Sequence, residues 1–338
     1  MRLETPFWWY RKTGVLASVL APLGRLYGRV VEGRFAHATP YRSLLPVVSI
    51  GNFTAGGGGK TPTAIAVARL LMARGERPAF LTRGYGGATA GPIFVDEGRE
   101  ASEVGDEPLL LAEIAPTVVS ADRVVGAKAI ETTDATVIVM DDGFQNPSLH
   151  KTFSLIAVDA AAGLGNGLIM PAGPLRAPLE AQIGRADALL VIGDGGNAAS
   201  LTEAFERHGK PVLKARVAAN CDPRWLSVLP AIGFAGIARP GKFFATLRNN
   251  GARLIDTRSF PDHHRYSERE ARRLLDAAQA KNAMLVTTEK DWARLPDEDG
   301  TSVGELKHRS RPFPIVVKFD DEAAVTQLLQ TAISKARP

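Results

Sequence analysis

A stretch of four glycines followed by a lysine and a threonine carries the strongest chemical signal in this sequence. It occupies residues 54–61, namely Thr54, Ala55, Gly56, Gly57, Gly58, Gly59, Lys60 and Thr61. Consecutive glycines let backbone N–H groups turn inward around phosphate oxygens, a following lysine reaches the β- and γ-phosphates, and a threonine hydroxyl binds Mg²⁺. Thr54 stands where the GxxxxGK[ST] pattern begins with glycine, so the match is incomplete. We nevertheless predict that this glycine loop binds a nucleoside triphosphate.

Two adjacent carboxylates follow a predicted strand further along the chain. The strand is the apolar run 135–140, and Asp141 and Asp142 come directly after it. A P-loop requires an acidic side chain on a neighbouring strand, because the metal ion that accompanies the triphosphate is held there. We therefore predict that Asp141 or Asp142 orients Mg²⁺ or its waters, and that Thr61 is a further ligand.

Polar groups that follow other predicted strands are candidates for the acceptor side of phosphoryl transfer. Asp106 and Glu107 open a predicted helix, Arg123 follows the third strand, and His263 follows a strand in the second half of the chain. Ligands of parallel α/β folds bind at the carboxyl ends of the strands. Each group alone has a simpler interpretation, since an aspartate at a helix start is usually a cap. The pair His263 and His264 lacks a third metal ligand at a recognisable spacing.

Short apolar runs alternate along the chain with stretches of helical periodicity. Six such runs between residues 46 and 192 predict buried strands. Continuous apolar strands separated by helices indicate an α/β fold with a mostly parallel sheet and helices on both faces. We predict a P-loop NTPase-type domain at residues 35–220. A smaller α/β domain at residues 221–338, including a strand at 315–318, would contribute to the active site.

The N-terminal segment, residues 1–34, is basic and rich in aromatic and aliphatic side chains. It holds six arginines or lysines against two glutamates. Its longest apolar run, residues 15–23, contains Pro22 and is shorter than the roughly 20 residues that span a bilayer. A signal-peptide cleavage site is also lacking. Because tryptophan and tyrosine favour the headgroup level and basic residues favour anionic lipid, we predict peripheral contact with a membrane surface.

Composition restricts the remaining classes of protein. The chain has 338 residues, a formal net charge of +5 and a single cysteine, Cys221. One cysteine excludes a disulfide framework and fits a reducing compartment. The basic balance favours an anionic partner, but basic stripes with stacking aromatic residues do not occur beyond the N-terminal segment, so we expect no nucleic-acid partner.

Taken in order, these segments resemble the tetraacyldisaccharide 4′-kinase family over nearly the whole chain. The resemblance rests on the motifs GNFTAGGGGKTP, LTRGYGG, VGDEP, ADR, DDGFQN, MPAGPLR, FPDHHRY and VTTEKD. It implies transfer of the ATP γ-phosphate to the 4′-hydroxyl of tetraacyldisaccharide 1-phosphate in lipid A biosynthesis. It also implies peripheral work at the cytoplasmic face of the inner membrane, with ATP and Mg²⁺ as cofactors and no obligate protein partner.

On the nucleotide side, the resemblance assigns roles to four residues that the residue pattern also singled out. Lys60 and Thr61 would serve the phosphates and Mg²⁺, and Asp141 and Asp142 match the family's strand-end acids. Gln145, at the end of DDGFQ, would line the nucleotide or metal site.

On the acceptor side, the resemblance implies that Asp106 of VGDEP activates the sugar hydroxyl and that His263 of PDHH is its partner from the second domain. Glu107 and Arg123 would be further members of the nucleotide site. Two positions depart from the family pattern: Gly58 stands where a threonine or serine is usual, and Ala177 stands where a glutamate usually follows the arginine of GPLR. The resemblance therefore assigns no role to residue 177.

A second class of protein fits part of these features. Membrane-associated P-loop ATPase switch proteins also lack the first glycine of the loop, and this class explains the loop, the strand-end acids and the basic N-terminal segment. It does not explain Asp262 and His263 or the second α/β unit. A kinase would phosphorylate a glycolipid, whereas a switch protein would release phosphate to water.

Overall fold

The chain folds around two β-sheets, a larger one and a smaller one. The computed structural model describes residues 6–11 and 14–337. The strands are β1 (Val47–Gly51), β2 (Pro78–Thr82), β3 (Ile93–Phe94), β4 (Thr117–Val119), β5 (Val137–Asp141), β6 (Phe153–Asp159), β7 (Ala188–Ile192), β8 (Val212–Ala219), β9 (Ala231–Ala235), β10 (Leu254–Ser259), β11 (Met284–Thr288), β12 (Ser310–Phe313) and β13 (Ile315–Phe319).

Helices fill most of the connections between these strands. They are α1 (Val15–Ala36), α2 (Lys60–Met72), α3 (Ala101–Val104), α4 (Asp106–Ala112), α5 (Arg123–Glu131), α6 (Leu179–Arg185), α7 (Ala199–Arg207), α8 (Pro240–Asn249), α9 (Glu268–Ala280), α10 (Glu289–Arg294), α11 (Ser302–Arg309) and α12 (Glu322–Ala336). Short 3₁₀ helices cover Phe7–Tyr10 and Pro223–Ser227.

The larger sheet has nine strands in the order β13-β8-β7-β6-β1-β5-β2-β4-β3. Its pairs are parallel except at the two edges, where β3 and β13 are antiparallel to their neighbours. Every residue of β1, β5 and β6 is buried. Helices α2 and α12 cover one face, while α5, α6 and α7 cover the other. The predicted mostly parallel α/β sheet with helices on both faces is confirmed.

The smaller sheet is fully parallel, in the order β10-β9-β11-β12. Helix α9 begins with a capping box, in which Ser267 and Glu270 bond each other's backbone N–H groups. Residues 315–336 differ from the sequence interpretation, which placed the strand at 315–318 in the second unit. In the structure β13 pairs with β8, and α12 packs in the core of the larger sheet. An apolar strand pattern reports burial but does not specify which sheet the strand joins.

Helix α1 lies against the larger sheet unit through small residues. Ala17, Gly24 and Gly28 are its buried positions, and a Cβ added to Gly24 would lie 2.6 Å from the carbonyl oxygen of Ile169. Near its end, Glu32 accepts two hydrogen bonds of 3.0 Å from Arg185. Residues 1–5, 12 and 13 of the predicted N-terminal segment fall outside the described part of the chain.

Candidate functional site

The glycine loop connects the central strand β1 to the start of α2. Gly56 and Gly59 have φ values of 104° and 78°, in the left-handed region that glycine enters without a steric penalty. Gly59 is the residue immediately before α2, so Lys60 and the buried Thr61 form the first turn of that helix. The loop is therefore the junction of a strand and a helix N-terminus, where free backbone N–H groups and the positive end of the helix dipole favour an anion.

A second loop of the chain, at residues 174–176, contacts the start of the glycine loop through hydrogen bonds and a β-bridge. The backbone N–H of Ala55 donates to the carbonyl oxygen of Pro174 at 2.8 Å, and Thr54 forms a bridge with Leu175. Arg176 donates from Nε to the carbonyl oxygen of Thr54 at 3.2 Å. Pro174, Leu175 and Arg176 are consecutive residues of the MPAGPLR motif. This motif therefore supports the start of the glycine loop.

Asp142 sits between two cations at the edge of the loop. It has a φ of 54°, and its carboxylate lies 3.8 Å from Nζ of Lys60 and 3.2 Å from Nη1 of Arg176. Burial alone would raise the pKa of Asp142, but the charges of Lys60 and Arg176 lower it below the ordinary value. Asp142 is therefore a paired, ionised carboxylate.

Asp141 has a contrasting environment, although it is the neighbouring residue. The pairing of β5 with β1 sets Asp141 opposite Ile50, close to the loop. Both of its oxygens are buried and have no hydrogen-bond partner within the described residues. Burial, with the nearby charge of Glu107, raises the pKa of Asp141 to about 7. A buried carboxylate left without donors suits a cation.

The donor set around Asp141 matches the way proteins bind Mg²⁺. Magnesium is usually held by one or two carboxylates together with substrate phosphates and waters, and rarely by an all-protein cage. In agreement, residues 6–11 and 14–337 contain no cluster of three or more histidine, cysteine, aspartate or glutamate side chains that could enclose a metal ion. Asp141, Asp142 and the hydroxyl of Thr61 are the protein groups that fit this ion.

Asp106 and His263 come together across the two sheets. Asp106 is the first residue of α4 and is almost fully buried, and its Oδ1 lies 3.2 Å from Nδ1 of His263. Arg294 donates to Oδ2 of Asp106 from Nη2 at 2.6 Å and from Nε at 3.1 Å. Burial would raise the pKa of Asp106, but the bond from His263 and the charge of Arg294 lower it below the ordinary value.

A second ion pair, between Lys290 and Glu107, joins the same two helices, α10 and α4, as the pair between Arg294 and Asp106. Nζ of Lys290 lies 2.6 Å from Oε1 of Glu107. Burial opposes the charge of Lys290, yet Glu107 and Asp106 together raise its pKa above the ordinary value. The charge of Glu107 also acts on Asp141. Glu107 and Lys290 therefore lie between the glycine-loop carboxylates and the Asp106–His263 pair.

Arg123 and Gln145 occupy different surroundings. Arg123 is buried, its Nη1 donates to the carbonyl oxygen of Ser120, and its Nε is buried without a partner within the described residues. Burial and the charge of Arg83 lower the pKa of Arg123 to about 10. Gln145 donates from Nε2 to Gln182 of α6 at 2.5 Å. Its observed contact is thus with the helix behind the site.

The smaller unit also covers the glycine loop directly. A Cβ added to Gly57 would meet the Cβ of Ala238 at 3.4 Å. Arg239 stacks on the ring of Tyr10 at 5.0 Å and pairs with Asp159 at 3.5 Å. The hydroxyl of Tyr10 lies 3.4 Å from the carbonyl oxygen of Ala55. Residues from the N-terminal segment and from both sheets therefore surround the loop.

Three cations at the site were not singled out by the residue pattern. Arg176 and Lys290 stood inside quoted motifs without a role, and Arg294 was missed entirely. A signal existed in the spacing, because Lys290 and Arg294 are four residues apart on the short helix that follows β11 and so share one face. The acceptors for that face, Asp106 and Glu107, lie more than 180 positions earlier in the chain.

The glycine loop at the centre of a parallel sheet, with strand-end acids and an acid–histidine pair beside it, defines a P-loop phosphotransferase. The family model described as Tetraacyldisaccharide-1-P 4'-kinase matches residues 16–334. A Tetraacyldisaccharide 4'-kinase of Methylorubrum extorquens (strain PA1) is 47% identical over 333 residues, with 98% of each chain covered. Its counterpart in Rhodopseudomonas palustris (strain BisB18) is 44% identical over 344 residues, covering 99% of this chain and 97% of the relative.

A solved structure agrees with these relatives. The crystal structure of the "apo" form of LpxK from Aquifex aeolicus, in complex with ATP, superposes with a TM-score of 0.73 at 28% identity, covering 94% of this chain and 100% of that one. The chain therefore belongs to the tetraacyldisaccharide 4′-kinase family. It is an ATP-dependent phosphotransferase with an alcohol acceptor in lipid A biosynthesis, as the motif resemblance implied.

Proposed function

We propose that this chain transfers the γ-phosphate of ATP to the 4′-hydroxyl of tetraacyldisaccharide 1-phosphate with the residues described above in specific roles. The observation that carries the proposal is the contact between Asp106 and His263 beside the glycine loop. Those two residues come from different units, since Asp106 starts α4 and His263 follows β10, and the neighbouring Glu107 pairs with Lys290. An acid–histidine pair at that place suits activation of a hydroxyl.

The glycine loop and its neighbours would bind the nucleotide. Lys60 would neutralise the β- and γ-phosphates, while backbone N–H groups of residues 56–61 would donate to phosphate oxygens. Thr61, Asp141 and Asp142 would hold Mg²⁺, which supplies positive charge where negative charge develops on the transferred group. Arg123, with its buried unpartnered Nε, and Glu107 complete this side. Gln145 supports the site from behind through Gln182.

Asp106 and His263 would serve the acceptor. The 4′-oxygen forms a bond to the γ-phosphorus while the bond from that phosphorus to the β–γ bridging oxygen breaks, and the hydroxyl proton passes to the Asp106–His263 pair. Phosphoryl transfer proceeds through a loose transition state, so orientation of the hydroxyl matters more than a strong base. The pair would orient the hydroxyl because its own geometry is held by buried partners.

The test is a transfer assay with pure protein, γ-labelled ATP, Mg²⁺ and tetraacyldisaccharide 1-phosphate. We expect label at the 4′ position of the glycolipid. Asp106→Ala and His263→Ala should each abolish most of the transfer, while Arg272→Gln, which removes an exposed ion pair with Glu305, should not. Wild-type turnover in both alanine variants would reject the assigned roles, and release of phosphate to water without labelled glycolipid would favour the switch-ATPase class.

We also propose peripheral contact of α1 with a membrane, at the cytoplasmic face of the inner membrane where the glycolipid acceptor would be found. No helix in the described ranges is long and apolar enough to cross a bilayer. The outward side of α1 is nevertheless apolar, because these six side chains are exposed: Val15, Leu16, Val19, Leu23, Leu26 and Val30. The basic residues Arg25 and Arg29 accompany them, which suits an anionic lipid surface.

Sedimentation with vesicles that contain an anionic phospholipid tests this contact. The double variant Leu23→Glu/Leu26→Glu should lower vesicle binding by at least about tenfold, because burying one leucine contributes about 1.5–3 kcal/mol. Val228→Glu/Leu229→Glu adds the same two charges at exposed apolar residues outside α1 and is the matched control. Equal binding by the double variant and the control would contradict the proposal.

A further inference from the structure

Arg294 links the two members of the acid–histidine pair. It is the last residue of α10, and its side chain is only 6% exposed. Its Nη2 and Nε both donate to Oδ2 of Asp106. The other oxygen of Asp106, Oδ1, faces His263. The guanidinium therefore fixes the orientation of the Asp106 carboxylate, in which Oδ1 faces His263.

The opposite edge of the guanidinium reaches the backbone turn that carries His263. Nη1 of Arg294 donates to the carbonyl oxygens of Gly236 and His264 at 3.0 and 3.4 Å. The carbonyl oxygen of Gly236 also accepts the backbone N–H of His263 at 3.0 Å. His263 has a φ of 56°, so its turn is in a conformation that non-glycine residues adopt rarely. Arg294 thus contacts Asp106 directly and the His263 turn through a shared acceptor.

Arg294 is itself held from behind by a buried carboxylate. Asp291 is fully buried, and its Oδ1 accepts from Nη1 of Arg294 at 2.9 Å. The same oxygen accepts the hydroxyl of Tyr266 at 2.8 Å and the N–H of Gly236 at 2.9 Å. A guanidinium presents five N–H donors in a fixed plane, so it can bond Asp106, Asp291 and two carbonyls at once, whereas a lysine ammonium cannot.

We propose that Arg294 is a positioning residue for the transfer reaction, which sets the distance and orientation of Asp106 relative to His263. The inference rests on the role proposed above for that pair. Lys290 provides the contrast, because it lies one turn earlier on α10 and bonds Glu107 instead. Positioning matters in such a reaction, since a displacement of about 1 Å can cost about 10²-fold in rate.

The groups that lower the pKa of Asp106 come from the smaller unit. They are His263 from the turn after β10 and Lys290 and Arg294 from α10. Burial raises the pKa of Asp106, and these three groups together lower it. Removal of the Arg294 charge therefore raises the pKa of Asp106. Because the ionised form of Asp106 is required, the acidic limb of the kcat profile moves to higher pH.

Two substitutions separate the charge of Arg294 from its shape. Arg294→Gln should lower kcat by about 10²-fold, change KM for ATP by less than about threefold, and move the acidic limb to higher pH. Arg294→Lys retains the charge, so the acidic limb should stay in place while kcat falls by about tenfold. Arg272→Gln, on the surface of the same unit, is the control and should leave kcat and the pH profile unchanged.

A double-mutant cycle with Asp106→Asn shows whether Arg294 acts through Asp106. If it does, Arg294→Gln should slow the Asp106→Asn enzyme by less than about threefold. Full additivity of the two losses overturns the inference, as does a wild-type kcat with an unmoved acidic limb in Arg294→Gln. If thermal unfolding shows that Arg294→Gln is not folded, the same cycle with Arg294→Lys decides. Wild-type turnover of Asp106→Asn alone would instead reject the proposed role of the pair.

Discussion

The two halves of the site are assembled in different ways. The nucleotide half is built within one sheet: the loop follows β1, and Asp141 ends the adjacent strand β5. The acceptor half joins residues 157 and 188 positions apart, since Asp106 starts α4 while His263 and Arg294 belong to the smaller unit. The loop and acids of the nucleotide half therefore belong to the larger sheet, although Ala238 and Arg239 of the smaller unit cover them, whereas the acceptor half exists only while α10 lies against α4.

The halves also differ in how their buried carboxylates are neutralised. Asp106 is paired with Arg294 and His263, and its pKa is lowered. Asp141 is equally buried, has no donor within the described residues, and its pKa is raised. The first carboxylate is stabilised by the protein itself, whereas the environment of the second suits a cation that would arrive with the nucleotide.

Asp106→Asn has the largest expected effect, and it tests whether the halves work independently. The amide cannot accept a proton and bonds Arg294 weakly, so kcat should fall by about 10³-fold. Affinity for ATP should change little, because the glycine loop is untouched. Steady-state kinetics and an ATP titration measure the two quantities. A parallel loss of ATP affinity would show that the halves are coupled.

Lys60→Met breaks the nucleotide half instead. Loss of its charge beside the phosphates should lower kcat by about 10²-fold and weaken ATP binding as well. The Asp106–His263 pair should remain, because Lys60 contacts Asp142. The combination of a kcat loss with a binding loss, measured by the same titration, distinguishes this variant from Asp106→Asn. Unchanged ATP affinity would contradict the assignment of the loop.

Acid unfolding sharpens the contrast between the two carboxylates. The folded pKa of Asp106 is lowered, so its ionised form stabilises the protein above its unfolded pKa of about 3.9, and that stabilisation is lost as pH falls through the folded pKa. Asp106→Asn should therefore cost about 1.5–3 kcal/mol of unfolding free energy at pH 7 and a smaller but still measurable amount near pH 3, because the folded carboxylate is still ionised there. Urea unfolding at the two pH values measures this.

Asp141→Asn should have the opposite sign in the same experiment without magnesium. The folded pKa of Asp141 is raised to about 7, so ionisation of the buried group destabilises the protein as pH rises from about 4 towards 7. The variant should be more stable than wild type at pH 8, on the order of 1 kcal/mol, and equal near pH 4. A loss of stability at pH 8 would refute the environment described for Asp141.

Lys242→Met should have the smallest effect. Lys242 pairs with Asp159 between the two units, but its side chain is 45% exposed. Exposed ion pairs contribute about 0.2–1 kcal/mol, so kcat should change by less than about fivefold. A loss as large as that of Arg294→Gln would mean that any contact between the units, and not the Arg294 contact in particular, controls the rate.

Sequence reasoning could predict most of the residues proposed for the nucleotide half, because they are contiguous or follow predicted strands. Strand β2 (Pro78–Thr82) is likewise one of the six apolar runs between residues 46 and 192 that predicted buried strands. The role proposed for Arg294 could not be predicted in this way, because it depends on a contact with the Asp106 carboxylate, 188 positions earlier in the chain. The contact of Gln145 with Gln182 likewise depends on how α6 packs behind the loop.

By itself the sequence determined the strand–loop–helix that binds phosphates, the acids beside it and the α/β class, because glycine conformations, apolar runs and helix starts are local properties. Only the tertiary structure decided that β13 returns to the larger sheet, that Asp141 is left unpartnered, and that α10 places Arg294 on Asp106. Those outcomes depend on which buried surfaces meet and which charges share the resulting space. Such pairings arise from packing over long sequence separations, and a local pattern does not encode them.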